Sequence, residues 1–403
     1  MRAGSTHVRR RHQLDEGREG HAPASRVAAF LAVGAIVGSS VLLPPIGPNL
    51  TPTDPLLVAA LAFGLAVTPA VSDTPPKRVL RAIAPWLALL AASSVLALTT
   101  SGITSWAVLS LSKSIYSFAL FVGAYALFWS SRTDPRVLVW ATGLAVVVVT
   151  VGLLATWEPP ARSAGTFYHP NYPGHFLAMA LIVWWPAARQ APLVRAQIAL
   201  VGLGGILLTS SFGAILMLLV ACLPKALRWL RNHAWVAPAA GAVGLVGLLV
   251  VGLPSGEVNR SEVEVTQTLS ANRFERSQEG RVDLWANALD ATVQHPLGLG
   301  PMGFRNSPEF SGKDVADDGR LAHNLYVSYL VDRGPLGLIA LFGLGFALWR
   351  HAPAGGMARP LLLAVAASNL VRETSHYRHM WIFLAVALTL DHAVESQRRG
   401  RAT

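Results

Sequence analysis

Charge is what this chain has least of. Only 14% of its 403 residues are charged, against about 25% in an ordinary soluble domain. Hydrophobic residues make up 52% and the mean hydropathy is +0.44. A water-soluble fold so poor in charge would present large apolar patches and self-associate, so the composition fits a protein whose solvent is lipid. Cysteine is nearly absent too. Cys222 stands alone in the apolar run 214–223, which excludes an internal disulfide and a cysteine-based metal centre and says nothing of the redox compartment. The polar stretches contain no HExxH, no phosphate-binding glycine loop and no D-x-D pair. Asp314, Asp317 and Asp318 could meet a cation, but their spacing is unspecific, so no required metal and no cofactor are expected.

Arginine is plentiful and far outnumbers lysine, and the net charge is +11. A basic protein invites a nucleic-acid reading, but these arginines sit in tails and short connections between apolar runs. No soluble domain is large enough to carry a nucleic-acid face, so no nucleic-acid partner is expected. Residues 1–25 hold Arg2, Arg9, Arg10, Arg11 and Arg18 among Gly, His and Ser, a composition that cannot bury enough apolar surface to fold. Residues 395–403 form a second basic tail. The apolar run after the first tail lacks a convincing small-residue cleavage site and reads as a retained helix rather than a signal peptide.

A bilayer core of about 30 Å takes about 20 apolar residues per helix. That template predicts an all-α polytopic membrane protein with about 12 transmembrane helices and one large outer-face loop containing short helices. The predicted spans lie near 26–43, 55–72, 79–98, 106–130, 135–156, 173–188, 195–209, 212–227 and 234–253, then 324–349, 358–371 and 379–394. The domain order is thus a cytoplasmic tail (1–25), nine helices (26–253), a loop (254–323), three helices (324–394) and a tail (395–403).

Arginine placement sets the orientation. With the N-terminus inside, one side receives Lys77, Arg78, Arg81, Arg132, Arg136, Arg189, Arg195, Lys225, Arg228, Arg231, Arg350 and Arg359. The short connections on the other side, 44–54, 99–105 and 210–211, have no Lys or Arg, and 157–172 has only Arg162. By the positive-inside rule both termini are cytoplasmic, and the expected location is a bacterial cytoplasmic membrane. The loop 254–323, with Arg260, Arg273, Arg276, Arg281, Arg305 and Arg320, is long enough to be functional and to translocate regardless of charge. Within it, 283–293 has helical spacing that puts Leu284, Ala288 and Ala291 on one side.

Four outer-face segments carry groups suited to chemistry, and each also has a purely structural reading. Segment 165–174 (GTFYHPNYPG) is a tight turn in which His169 and Asn171 bring donors to the membrane surface; a simple structural turn reads equally well. In Arg281-x-x-x-Trp285 the two side chains share a helix face at i, i+4. The guanidinium there suits a phosphate gripped bidentately and the indole suits an interface anchor, although a solvated loop charge has the same sequence. At the mouth of the tenth span, His323 can act as a general base at neutral pH, with Asn324 and Tyr326 near enough to orient it or a substrate; an interfacial histidine is the alternative. The turn 372–378 packs Arg372, His376 and Arg378 with Glu373, which is either a functional ionisable cluster or a salt-bridged loop. Lys113, flanked by Ser112 and Ser114, lies one to two turns below the outer surface and either snorkels or faces an anionic headgroup.

Taken in order, these segments resemble the O-antigen ligase and polymerase superfamily. The matching residues are GTFYHPN at 165–171, SSFGA at 210–214, RVDLW at 281–285, HPLGLG at 295–300, and HNLY with DRGPLG across 323–337. The resemblance covers roughly residues 150–345. It implies about a dozen helices and a large loop before the tenth. The implied activity is metal-independent, inverting glycan transfer from an undecaprenyl-pyrophosphate-linked donor to a hydroxyl-bearing glycan, lipid or protein acceptor. It also implies that His323 is the catalytic histidine and Arg281 the loop arginine, with Lys113, His169, Asn171, Trp285, Asn324, Tyr326, Arg372, His376 and Arg378 as substrate-side candidates and membrane lipids as surroundings.

One departure stands out. The family commonly carries Ser-Arg-Gly where this chain has Ser211-Phe212-Gly213, so Lys113, Arg372 or Arg378 substitutes for that arginine, or the donor differs, or activity is lost. A polymerase of the same superfamily fits the same residues. A transporter for a small anion or a lipid-linked glycan is the rival from another class; it would place ionisable groups near the midplane and break helices in pairs.

Overall fold

The computed structural model describes residues 22–40, 54–67, 74–130, 133–158, 163–167, 169–189, 191–232, 271–311 and 322–402. Among these the chain is all-helical, as expected of a polytopic membrane protein. The helices are α1 (Ala22–Gly38), α2 (Asp54–Val67), α3 (Pro75–Ser101), α4 (Ser105–Trp129), α5 (Pro135–Ala155), α6 (Asn171–Ala187), α7 (Pro192–Thr209), α8 (Phe212–Asn232), α9 (Ala271–Gln294), α10 (Pro308–Ser311), α11 (Leu325–His351), α12 (Ala358–Ser368) and α13 (Arg378–Ala402). The ninth span expected at 234–253, Arg260, Arg320 and the aspartates at 314–318 lie outside the described residues.

Local chemistry explains where the helices begin. Proline occupies the first turn of α3, α5 and α7, where a missing N–H costs nothing. Thr104 caps α4 by accepting from the N–H of Ala107 at 3.1 Å, and Asp134 caps α5 through Arg136 at 2.8 Å. The start of α12 is capped from another helix: Asp391 accepts the N–H groups of Met357 and Ala358, each at 2.8 Å.

Among the described residues five helices (α3, α4, α5, α7 and α11) are long and apolar enough to cross a membrane, and four shorter apolar helices accompany them. The number of full-length spans among these residues is therefore below the dozen expected. The reason is helix length. α12 has 11 residues, about 17 Å at 1.5 Å per residue, well short of a bilayer core.

The helices pack around a core of Phe121, Tyr125, Phe176, Trp184, Trp381 and Phe383. α2 and α4 cross in close contact: a Cβ on Gly64 would lie 2.1 Å from the Gly123 carbonyl oxygen, the small-residue packing that membrane helices use. Direct contacts gather the connections at 39–40, 100–104, 156–158, 163–167, 169–171, 209–212, 295–307, 322–325 and 369–378 at one end of the bundle. Thr166 donates to the Ser40 carbonyl at 2.9 Å, the Ser163 N–H to that of Leu208 at 3.2 Å, and the Leu325 N–H to that of Asn369 at 2.9 Å. The connections bearing Arg136, Arg195, Arg350 and Arg359 lie at the other end.

α9 rides on the first end. Leu284, Ala288 and Ala291 are buried against Leu299, Phe304, Phe310, Ala322 and Val331, so the expected apolar side of this helix is the side that packs.

Candidate active site

His323 lies between buried Ala322 and the start of α11, and its backbone is left-handed, with φ at 51°. A non-glycine residue in that region carries strain and needs surrounding structure to hold it. The holding groups are visible on both sides. Asn324 caps α11, its Oδ1 accepting the N–H of Tyr326 at 2.9 Å and of Val327 at 3.2 Å. Trp285 of α9 donates its indole N–H to the Ala322 carbonyl at 2.7 Å.

One turn before Trp285, α9 carries Arg281. Burial and the charge of Arg372 lower the pKa of Arg281. Burial, then Arg281 and then Arg372, depress the His323 imidazole to about 4. Two guanidinium groups from separate elements thus lie within electrostatic reach of one imidazole. At neutral pH His323 is uncharged and able to accept a proton.

Arg372 is held from below. Its Nε donates to the Tyr377 hydroxyl at 2.6 Å, and the guanidinium sits 5.5 Å above the Tyr172 ring, a cation–π contact. The Tyr172 and Tyr377 rings lie 4.3 Å apart, and the Tyr172 hydroxyl is 3.4 Å from His376 Nε2. Burial, then the charges of Lys113 and Arg372, depress His376 to about 3. The turn itself is pinned by Asn369, whose Oδ1 accepts from the Thr374 N–H at 3.1 Å and the Thr374 hydroxyl at 2.7 Å.

Other expected site residues are placed differently. His169 meets Tyr172 edge-on at 6.4 Å and accepts the Asn171 N–H at 3.1 Å through Nδ1, so the 165–174 turn borders the tyrosine pair rather than His323. Arg378 pairs with Asp54 at 2.8 Å, and Tyr116 donates to the same carboxylate at 2.9 Å. Lys113 lies within electrostatic reach of Arg378 and Arg305. Tyr326 points away from the group: its hydroxyl donates to the Ala366 carbonyl at 2.8 Å and its ring stacks on Phe342.

Glu373 was visible in the sequence only as a member of a charged turn. In the structure, burial and then the Asp332 carboxylate push it up to about 7, against Arg333 and hydrogen bonds with Ser328 and Ser375. Tyr172 and Tyr377 carried no signal beyond the motifs around them. Phe212, where the resembling family has arginine, opens α8 next to Gly213. A Cβ on Gly213 would lie 2.6 Å from the His175 ring, and that ring is 5.9 Å from Tyr377. The position of the missing arginine therefore adjoins the pocket from which Tyr377 holds Arg372.

Residues 197–342 match the family described as O-antigen ligase. The matched stretch runs through Arg281, Trp285 and His323. The match spans 146 of the 403 residues. None of the curated proteins matches the chain. The apolar helices make this an integral membrane protein, and its middle third is similar to the O-antigen ligase family. Arg372 lies outside the matched stretch and reaches its histidine through folding.

Proposed function

We propose that this protein transfers a glycan from an undecaprenyl-pyrophosphate carrier to an acceptor hydroxyl at the outer face of a bacterial cytoplasmic membrane. The observation that supports this most is the convergence of Arg281 and Arg372 on His323. Pyrophosphate leaves readily once its developing charge is met, so the reaction needs fixed cations more than a general acid. In this reading the two guanidinium groups hold the pyrophosphate, and Arg372 takes the place of the arginine absent at Phe212. The acceptor oxygen attacks the anomeric carbon as its proton passes to His323 Nε2 or Nδ1. The bond from that carbon to the pyrophosphate oxygen breaks with inversion, and undecaprenyl pyrophosphate departs bearing the electron pair. The paired guanidinium groups supply the charge neutralisation, so the reading includes independence from added metal.

Bound pyrophosphate would cancel the arginine charges that depress His323 and so strengthen the base when the donor is in place. The placement of the ionisable cluster at one end of the bundle favours this reading over a transporter, which needs such groups along its crossing path.

The test is direct. Purified protein in nanodiscs is given a synthetic undecaprenyl-pyrophosphate oligosaccharide and candidate acceptors without metal. Release of undecaprenyl pyrophosphate is expected, and its loss in His323→Ala and Arg281→Ala. Full transfer by both variants sinks the proposal.

A further inference from the structure

Arg281 and Arg372 account for a pyrophosphate, yet the basic residues do not stop there. Trp106 and Lys113 share one face of α4 at i, i+7, with Tyr116 three residues further on the same side. Trp106 is 38% exposed and lies at the mouth of α4; Lys113 is half-buried about 10 Å deeper at 1.5 Å per residue. Above them runs the segment 295–307, which carries Arg305. Its guanidinium lies 5.3 Å from the Trp106 ring centre.

Arg305 is placed there by built structure. Asp332, buried in α11, accepts the N–H groups of Met302 at 2.9 Å and Phe304 at 3.0 Å, and the Leu299 N–H donates to the Val331 carbonyl at 2.9 Å. On the far side, Gly300 abuts Ser101 at the end of α3.

Lys113 therefore stands within electrostatic reach of Arg305 and Arg378, with Glu373 as the nearby counter-charge. His376 links this group to Arg372. Arg378 is paired with Asp54, while Lys113 and Arg305 are like charges that repel each other in a half-buried place. A bound anion reverses the sign of that interaction. The indole beside them offers a flat apolar face with a polar tip, a surface suited to the C–H face of a sugar ring.

We infer that Trp106, Lys113 and Arg305 form a subsite for an acidic sugar, one bearing a carboxylate or phosphate substituent, on a glycan substrate of this protein. The inference rests on the glycan-transfer reading for its substrate, and it adds that the substrate is anionic away from its pyrophosphate. The cations hold the acid group and Trp106 stacks against the ring that carries it.

The experiment compares matched oligosaccharides that differ only by one uronate, offered in turn as the carrier-linked donor and as the acceptor. The kcat/KM ratio of acidic to neutral substrate is expected to exceed about tenfold in one of those two roles, the range for hydrogen bonds to a charged partner. That ratio should collapse towards one in Arg305→Gln and in Lys113→Gln, and be kept in Lys113→Arg. A wild-type ratio near one in both roles overturns the subsite, as does a ratio unmoved by Arg305→Gln and Lys113→Gln. Equal losses on acidic and neutral substrates overturn it too, since the cations would then serve the pyrophosphate or the fold. Equilibrium dialysis of the free labelled uronate oligosaccharide, without carrier, separates the two readings. Binding lost in Arg305→Gln, with no donor turned over by the wild type, keeps the subsite and discards glycan transfer. No binding and no turnover discards both.

Discussion

Trp285 holds the residue before the histidine: its indole N–H donates to the carbonyl of Ala322 at 2.7 Å. An aromatic side chain that reads from sequence as a membrane-interface anchor is instead a strut between α9 and the mouth of α11. Because Arg281 lies one turn away on the same helix, this bond ties the part of α9 that bears Arg281 to the backbone next to His323.

Removing the strut should show in turnover more than in folding. Trp285→Phe keeps the ring but loses one hydrogen bond, about 1 kcal/mol of stability. Glycan release is expected to fall about tenfold or more in kcat, with KM little changed, since small misplacements at a reacting centre are costly. Steady-state kinetics in nanodiscs checks it; an unaltered kcat would make the bond incidental.

His323→Gly separates strain from chemistry. Glycine adopts a φ of 51° without the cost borne by histidine. The variant should unfold at the same temperature as the wild type or higher while losing about 100-fold or more in rate with the general base. A drop in thermal stability would mean that the imidazole contributes packing that outweighs its strain.

The pH profile should differ between free and donor-bound protein. His323 sits at about 4 against its ordinary 6.5 because of burial, Arg281 and Arg372, so its neutral form persists well below pH 6. The acid limb of kcat/KM, which reports the free enzyme, is expected near pH 4 to 5. In kcat it should move upward, because bound pyrophosphate offsets both guanidinium charges. For stability the sign is fixed by the depressed pKa values of His323 and His376. Their contribution is complete above pH 6.5 and is lost as pH falls through about 4 and about 3. Coincident acid limbs would count against Arg281 and Arg372 as the phosphate clamp.

Arg372→Ala should cost about 100-fold or more in kcat, the scale for losing one charge-stabilising donor, and Arg372→Lys should recover little because a bidentate fork becomes a point charge. Phe212→Arg, placed in the Arg372→Ala background, should restore part of the lost rate, since α8 begins beside the His175 and Tyr377 rings. No rescue together with full activity in Arg372→Ala alone would remove Arg372 from the site.

Much of the fold was legible because bilayer crossing constrains sequence strongly. The start of α4, α5, α8 and α11 falls within a residue of the expected position, and the apolar side of α9 was readable from its spacing. Helix length was less readable, since hydropathy does not reveal where a chain turns inside a protein rather than at its surface. α12 illustrates this, stopping at Ser368 because Asn369 redirects the chain.

Within the site, Arg281 and His323 were marked by motifs near the loop and the helix mouth. Arg372 was only one of three possible second cations, because its position depends on Tyr377 in its own turn and on Tyr172 of α6. Asn324 and Tyr326 looked equally available in sequence. Folding gave the Asn324 oxygen to a helix cap and the Tyr326 hydroxyl to α12. The motifs 295–300 and 332–337 are separate in sequence, yet Gly298 packs against the Asp332 backbone and Gly334 against the Pro296 carbonyl.

That tie has a mechanical consequence. α11 is interrupted at Gly334, whose φ of 66° and ψ of −176° are open almost only to glycine. A Cβ there would lie 2.6 Å from the Pro296 carbonyl oxygen. The short stretch Leu325–Arg333 therefore breaks from the axis of the rest of its helix and is tied on two sides. Asp332 and Val331 hold the 295–307 segment, while Arg333 bonds Ser94 of α3 and Leu325 bonds Asn369. The mouth of α11 thus acts as a keystone, joining the segment that bears Arg305 to the turn that bears Arg372, with His323 at its tip.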